Sequence, residues 1–329
     1  MRLLIYEPSF RRLEADIAAY RPAVEPLLMS ADGQITLDGQ PVAVDDARPD
    51  AAWMNADLWA GKAGRDFAVA ILKAPRVRWV QSAAAGFDHP IFGQLVTKGV
   101  TLTTSHGQAI GMAEYVLAGV LDHFQHGPER RAAQAEGAWR RVAFREVIGS
   151  RWLIVGFGAI GQAVAERARA FGAQVTGVRR NPAQHPAAQA IAGLADLARL
   201  LPDADVVVLC APLTPETRHV AGEAFFAAMK PGSVLVNVGR GGLLDEPALL
   251  AALARGVPEH AVLDVFETEP LPADSPFWGH PRVSLTPHAS GVADGQNARN
   301  DQLFLENLRR FVAGEPLLNA ADPKDVLSA

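Results

Sequence analysis

RWLIVGFGAIGQAVAERARAF, residues 151–171, is the stretch whose reading decides the fold. WLIV (152–155) is an apolar run of strand length that passes straight into Gly156-Phe157-Gly158-Ala159-Ile160-Gly161. Beyond it, Ile160, Val164, Ala168 and Phe171 recur at the spacing of one helical face. With strand, loop and helix in register, each glycine has a task. Gly156 permits the tight turn, Gly158 lets backbone approach a pyrophosphate, and Gly161 lets helix and strand pack closely. The helix N-terminus adds unpaired N–H groups and a partial positive charge. A lone GxGxxG is a weak signal, but in this setting it predicts a dinucleotide-binding loop formed by Gly156, Phe157, Gly158, Ala159, Ile160 and Gly161.

Toward the C-terminus the alternation continues. QVTGV (174–178), DVVVLC (205–210), SVLVNV (233–238), AVLDVF (261–266) and VSLT (283–286) read as buried strands, and residues 160–171, 222–230 and 246–256 as helices between them. Six β units in one run predict a doubly wound parallel sheet. Residues 187–198 read as alanine-rich and nothing more. Toward the N-terminus, residues 2–6, 51–54, 77–83 and 100–105 have the rhythm of a second parallel α/β domain. A proline-free apolar segment at 109–125 predicts a long buried helix, and residues 294–312 a last one, stopped by Gly314 and Pro316.

The end of the second strand of a dinucleotide-binding unit normally carries an acid for the adenosine ribose. Here that place falls on Arg179, followed by Arg180, and VTGVRRNP holds no carboxylate. Paired guanidiniums bind a 2′-phosphate that an acid would repel. NADP(H) is the expected cofactor, with NAD(H) the lesser alternative.

Bulk properties fit an ordinary packed enzyme. The 329 residues suggest two domains, and 49% are hydrophobic and 20% charged. With 31 basic and 36 acidic residues the net charge is −5, which gives no field favouring nucleic acid. The single cysteine, Cys210, excludes an intrachain disulfide and a thiolate zinc cluster. The opening apolar run stops at Glu7 and Pro8, unlike a signal peptide, and no run reaches membrane-spanning length. A soluble, cytoplasmic setting without membrane or nucleic-acid partners is expected.

Three further motifs, NVGRGGLLDEPALLAAL (237–253), LDVFETEPLP (263–272) and TPHASG (286–291), join the glycine loop in an order and spacing that resemble the D-isomer-specific 2-hydroxyacid dehydrogenase family. The resemblance implies a Rossmann-type cofactor domain at 101–287 and a smaller, flavodoxin-like substrate domain at 1–100 and 288–329, with a homodimer formed through the long helix at 109–125. It implies hydride transfer between nicotinamide and a small 2-hydroxy or 2-keto acid, glyoxylate or hydroxypyruvate first. The catalytic arginine, glutamate and histidine fall on Arg240, Glu269 and His288. These types suit the chemistry: histidine exchanges the oxygen-bound proton near neutral pH, glutamate fixes its tautomer, and arginine grips the carboxylate.

Other positions follow from the same resemblance. QSAAAGFDH (81–89) implies a backbone cradle for the substrate carboxylate at Ala85 and Gly86, with Ala84 where relatives often carry glycine. Cys210, Pro212 and Thr217 line the adenosine and ribose, and Cys210 has no activating base that would make it a nucleophile. Val238, Gly239 and Asp264 position the nicotinamide, and Ser290 and Gly291 complete the cofactor site. Trp53, Met54 and Asn55 follow a strand end where substrate contacts are expected, Trp53 being the candidate. Trp139 and Arg141 lie where relatives reach a substrate, including that of the partner subunit. His123 and His126 have helical spacing without a third ligand and read as a solvated helix end rather than a metal site. The alternatives are a bulkier or phosphorylated 2-keto acid, formate or phosphite as substrate, or a non-catalytic nucleotide-sensing protein of the same fold.

Overall fold

Uniformly apolar strands bounded by helices can be satisfied only when both faces of a sheet are covered, and the chain builds two such sheets. The computed structural model describes residues 1–60, 62–87 and 89–328. Its contacts divide it into unit 1, residues 1–107 with 294–329, and unit 2, residues 108–293.

Unit 1 carries β1 (Arg2–Tyr6), β2 (Glu25–Met29), β3 (Ile35–Leu37), β4 (Gln40–Val42), β5 (Ala51–Met54), β6 (Trp79–Ser82) and β7 (Thr101–Thr103). Their order in the sheet is β4-β3-β2-β1-β5-β6-β7. The pairs from β2 across to β7 are parallel, while β3 and β4 form an antiparallel hairpin at one edge. β7 pairs with β6, so the chain past residue 100 still belongs to this sheet. The helix Gln296–Ala313 returns to the unit and ends at Gly314, whose φ of 71° suits a left-handed C-cap. Its Phe304 stacks on Trp53 with centroids 5.0 Å apart and planes 5° apart.

Unit 2 carries β8 (Arg151–Val155), β9 (Gln174–Val178), β10 (Ala190–Ala192), β11 (Val206–Leu209), β12 (Val234–Asn237), β13 (His260–Leu263) and β14 (Val283–Leu285). Every pairing in the sheet is parallel, in the order β10-β9-β8-β11-β12-β13-β14. β10 falls in the stretch that composition alone marks as alanine-rich. Alternate side chains feed two apolar layers: Leu153, Val155, Val207 and Leu209 into one, Trp152, Ile154, Val206 and Val208 into the other. The helix Ala109–Phe124 buries Met112, Ala113, Val116, Leu117 and Val120. Among the described residues no helix is long and apolar enough to cross a membrane.

Candidate active site

Because all seven strands of unit 2 run the same way, their carboxyl ends gather on one edge, and the strand order reverses between β8 and β11. Ligands of open parallel sheets bind in the crevice at such a reversal. Gly156 ends β8 at φ 103°, and a Cβ there would lie 2.4 Å from the Ala211 nitrogen. A Cβ on Gly161 would lie 2.2 Å from the Gly156 carbonyl oxygen, whereas one on Gly158 would meet open space. Gly156 and Gly161 are therefore required by the turn itself, and Gly158 leaves room for a ligand. The helix Ala159–Ala170 is capped by Gly158 with no side-chain hydrogen bond, so its first N–H groups are left to a ligand or solvent. The Phe157 side chain is buried beneath the loop, leaving its backbone to face a ligand.

Around this loop the other positions expected to meet the cofactor are ordered by short bonds. The Cys210 thiol donates to the Gly156 carbonyl at 2.9 Å, and burial pushes it up to about 12, which makes it a packing group and not a nucleophile. Thr217 Oγ1 donates to the Pro212 carbonyl at 2.7 Å and accepts the Thr214 N–H at 2.8 Å, closing the loop after β11. Arg179 and Arg180 follow β9, and the Arg179 N–H donates to Ala192 at 3.1 Å. Glu216 is held below the usual carboxylate range by the Thr214 hydroxyl first and by the Arg180 charge to a smaller extent.

The catalytic candidates stand on the same edge, after β12, β13 and β14. Arg240 lies in the turn beyond β12, where Asn237 Nδ2 donates to its carbonyl at 3.0 Å and its own Nη1 donates to Gly239 at 2.8 Å. Glu269 lies in the turn beyond β13, Oε1 accepting the Phe266 N–H at 3.0 Å. Its Oε2 meets His288 Nδ1 at 2.7 Å. That bond commits Nδ1 to the carboxylate and turns Nε2 toward other partners. His288 itself sits at φ 51°, a left-handed conformation that is rare for a non-glycine residue.

The strained histidine is held by Asp264, which is 1% exposed. The Asp264 carbonyl accepts the His288 N–H at 2.8 Å. Its carboxylate accepts the Thr286 hydroxyl, the Ala289 N–H at 2.8 Å and the Ser290 N–H and hydroxyl. Thr286 Oγ1 also lies 2.8 Å from the Tyr115 hydroxyl, and burial pushes that phenol up. A buried carboxylate with several donors is a rigid anchor. Asp264 is thus occupied with the His288 turn, a role its motif alone does not disclose. Its neighbours Val238 and Ser290 are buried, and Gly291 packs on Gln108.

A paired imidazole and carboxylate, an arginine turn and a glycine cradle on one sheet edge are what a dinucleotide-dependent dehydrogenase needs. A family model, D-isomer specific 2-hydroxyacid dehydrogenase, NAD binding domain, matches residues 117–290. The chain belongs to this family. As a member it is an oxidoreductase that acts on the CH–OH group of 2-hydroxy acids. Glyoxylate/hydroxypyruvate reductase A of Serratia proteamaculans (strain 568) is 37% identical over 216 residues, 66% of this chain and 68% of that one. A solved D-isomer specific 2-hydroxyacid dehydrogenase family protein from Aeromonas salmonicida superposes with a TM-score of 0.80 at 31% identity, covering 98% of both chains. The NADPH-dependent glyoxylate/hydroxypyruvate reductase of Sinorhizobium meliloti, solved with NADP and sulfate, gives 0.76 at 27% identity over 99% of both.

Elsewhere in this dehydrogenase the sequence expectations meet a mixed outcome. Trp53 is fully buried and stacked on Phe304, so its ring is core and not a substrate contact; strand β5 is covered on both faces. Met54 and Asn55 are buried as well. Ala85 and Gly86 lie half-buried in the loop after β6; Asp88 of the same motif lies outside the described residues. Trp139 is 97% exposed and Arg141 exposed in an extended segment of unit 2. His123 is not a solvated helix end: its ring stacks on His260 with centroids 4.6 Å apart. His126 lies 3.6 Å from Glu129.

An apolar pocket of about 450 Å³ adjoins the Glu269–His288 pair, walled by Phe266, Pro270, Leu271, Trp278, Leu285 and Pro287. Sequence reading also missed Thr286, whose bond to Asp264 spans 22 residues, and Tyr115, which bonds Thr286 across 171. Only the position of Thr286 within TPHASG gave any signal.

Proposed function

We propose that this dehydrogenase is an NADP(H)-preferring reductase of small 2-keto acids, with glyoxylate and hydroxypyruvate as its substrates. The observation that carries the reading is the Glu269–His288 pair, 2.7 Å apart on the sheet edge that also bears the glycine loop. The bound dinucleotide supplies the hydride that reduces C2 of the keto acid. His288 gives the carbonyl oxygen its proton, and Glu269 holds the imidazole in the orientation that this requires. Arg240 binds the substrate carboxylate and stabilises negative charge developing on the neighbouring oxygen. Gly158 and the uncapped start of helix Ala159–Ala170 receive the pyrophosphate. Arg179 and Arg180 hold the 2′-phosphate, a reading supported by the missing acid after β9 and by the NADP bound to the Sinorhizobium relative.

Assembly follows from exposed apolar groups. Two copies pair through the helix Ala109–Phe124, where Ile110 is exposed, together with the segment bearing Trp139 and Phe144. Sedimentation as a monomer at micromolar concentration would refute the dimer.

One observation favours a second reading within the same chemistry. The apolar pocket beside Glu269 and His288 suits a bulky aliphatic or aromatic 2-keto acid better than a hydroxymethyl group. A panel of glyoxylate, hydroxypyruvate, phenylpyruvate and a branched aliphatic keto acid, run with NADPH and NADH, decides between the two. Highest kcat/KM on glyoxylate or hydroxypyruvate with NADPH is expected, and a clear preference for phenylpyruvate transfers the assignment to the second reading.

A further inference from the structure

The turn that presents Glu269 is gripped from outside by two residues the mechanism does not use. The Glu267 N–H donates to Glu246 Oε1 at 2.8 Å, and the Glu267 carboxylate pairs with His219 Nε2. Glu246 opens the helix Glu246–Ala254, whose cap Asp245 accepts the Ala248 N–H at 3.0 Å. Burial raises the Glu246 carboxyl above its usual range, and the charge of Glu267 adds to that effect. Two carboxylates so placed repel, which leaves His219 as the partner toward which Glu267 turns.

His219 belongs to the loop that closes the cofactor side of the site. Its N–H donates to the Gly242 carbonyl at 2.8 Å, and the neighbouring Ala221 N–H donates to Leu243 at 3.0 Å. Those acceptors stand two and three residues after Arg240. A Cβ on Gly241 would lie 1.9 Å from the Phe266 carbonyl carbon, so the Arg240 turn and the Glu269 turn are in backbone contact. Three segments that are far apart in sequence therefore meet at one small assembly: the loop of Thr217 and His219, the turn of Arg240, and the turn of Glu267 and Glu269. Within it, the His219–Glu267 pair is the side-chain link between the first and the third. His219 takes a φ of 51°, so the backbone is held in an uncommon shape to aim this ring.

We propose that His219 and Glu267 are a positioning pair that ties the cofactor loop to the turn carrying Glu269, and so sets the aim of His288. The inference rests on the reading of Glu269 and His288 as the acid–base pair. The His219 and Glu267 side chains are 44% and 34% exposed, and ion pairs that open to solvent add little to stability. The effect of losing the pair therefore falls on the geometry of turnover, where small misplacements are costly.

His219→Leu and His219→Gln share the same backbone demand, but only glutamine can still donate to Glu267. His219→Leu is expected to lower kcat about tenfold, with keto-acid KM, NADPH affinity and melting temperature close to those of the parent. His219→Gln is expected to recover most of kcat. Parental kcat in His219→Leu overturns the proposal. Equal loss in both variants with a lowered melting temperature also overturns it, because that is the signature of a merely structural role. His288→Asn, measured alongside, separates the two failures. If it is inactive while His219→Leu turns over normally, only the positioning pair falls; if it is active, the acid–base reading falls and takes the pair with it.

Discussion

Each unit has a seven-stranded sheet whose strand order reverses beside its first strand, and the two reversal points are finished in opposite ways. In unit 2 the mouth between β8 and β11 is bare backbone, with Gly156 and Gly158 at the strand end and an uncapped helix behind them. In unit 1 the mouth between β1 and β5 is packed with side chains. Asn55 Nδ2 donates to Ser9 Oγ at 3.1 Å, and both residues are fully buried. Arg12 spans Asp57 at 2.7 Å and Asp301 at 3.1 Å across the same opening. Parallel topology offers a crevice in both places. What fills the crevice decides whether a dinucleotide can enter it.

The sharpest way to break this comparison is to fill the open mouth. Gly156→Ala places a methyl group 2.4 Å from the Ala211 nitrogen at a φ that alanine resists. NADPH affinity, followed by fluorescence titration, should fall about 100-fold or more, the equivalent of roughly 3 kcal/mol. Undiminished binding would mean that bare backbone is not what distinguishes unit 2.

Acid should separate the units next. Burial, with the adjacent His123 second, lowers His260 from its ordinary 6.5 to about 4. The unfolded chain then binds the proton more readily than the folded one. This contribution to stability is complete above about pH 6.5 and is lost as pH falls toward 4, on the order of 3 kcal/mol in all. Hydrogen-exchange protection in β11–β13 of unit 2, taken relative to the intrinsic amide rate at each pH, should fall between pH 7 and 4, and His260→Gln should flatten that dependence. Identical pH profiles for parent and variant would remove the histidine stack from the explanation.

Emptying the filled mouth tests the other half of the comparison. Asn55→Leu removes the buried amide that donates to Ser9 and Asp301 and should cost about 1–3 kcal/mol of stability, read by denaturant melts, while NADPH binding stays unchanged. Loss of NADPH affinity without loss of stability would show that the polar plug serves the cofactor instead. The smallest effect is expected at the rim of the open mouth. Arg180→Asp should reduce the preference for NADPH over NADH about tenfold, in the ratio of kcat/KM values. An unchanged ratio would sever the 2′-phosphate from the loop after β9.

How much of this was legible before the structure depends on the distance over which each signal acts. The glycine loop was readable because strand, loop and helix are contiguous, and β8, β9, β11, β12, β13 and β14 because buried parallel strands are unbroken apolar runs. β10 was missed because Ala190–Ala192 is a short, half-exposed edge whose side chains carry little strand signal. β2 was missed because EPLLM opens on Glu25 and Pro26, and the β3–β4 hairpin because each strand has only 3 residues. Motif order brought out Glu269 and His288, whose contact the structure supplies at 2.7 Å. It could not bring out His219 and Glu267, a pair 48 residues apart that depends on a left-handed backbone at one end. Trp53 shows the opposite error: a residue at a strand's carboxyl end reads as a site residue, but both faces of β5 are covered, so its ring packs into the core.

The proposed keto-acid reduction depends on His288 acting as the proton donor beside the open crevice. The direct measurement is steady-state turnover of His288→Asn on the best keto acid, with NADPH binding titrated on the same preparation. NADPH affinity within about twofold of the parent together with a fall in kcat of at least about 100-fold is expected. Near-parental turnover with intact NADPH binding would contradict it.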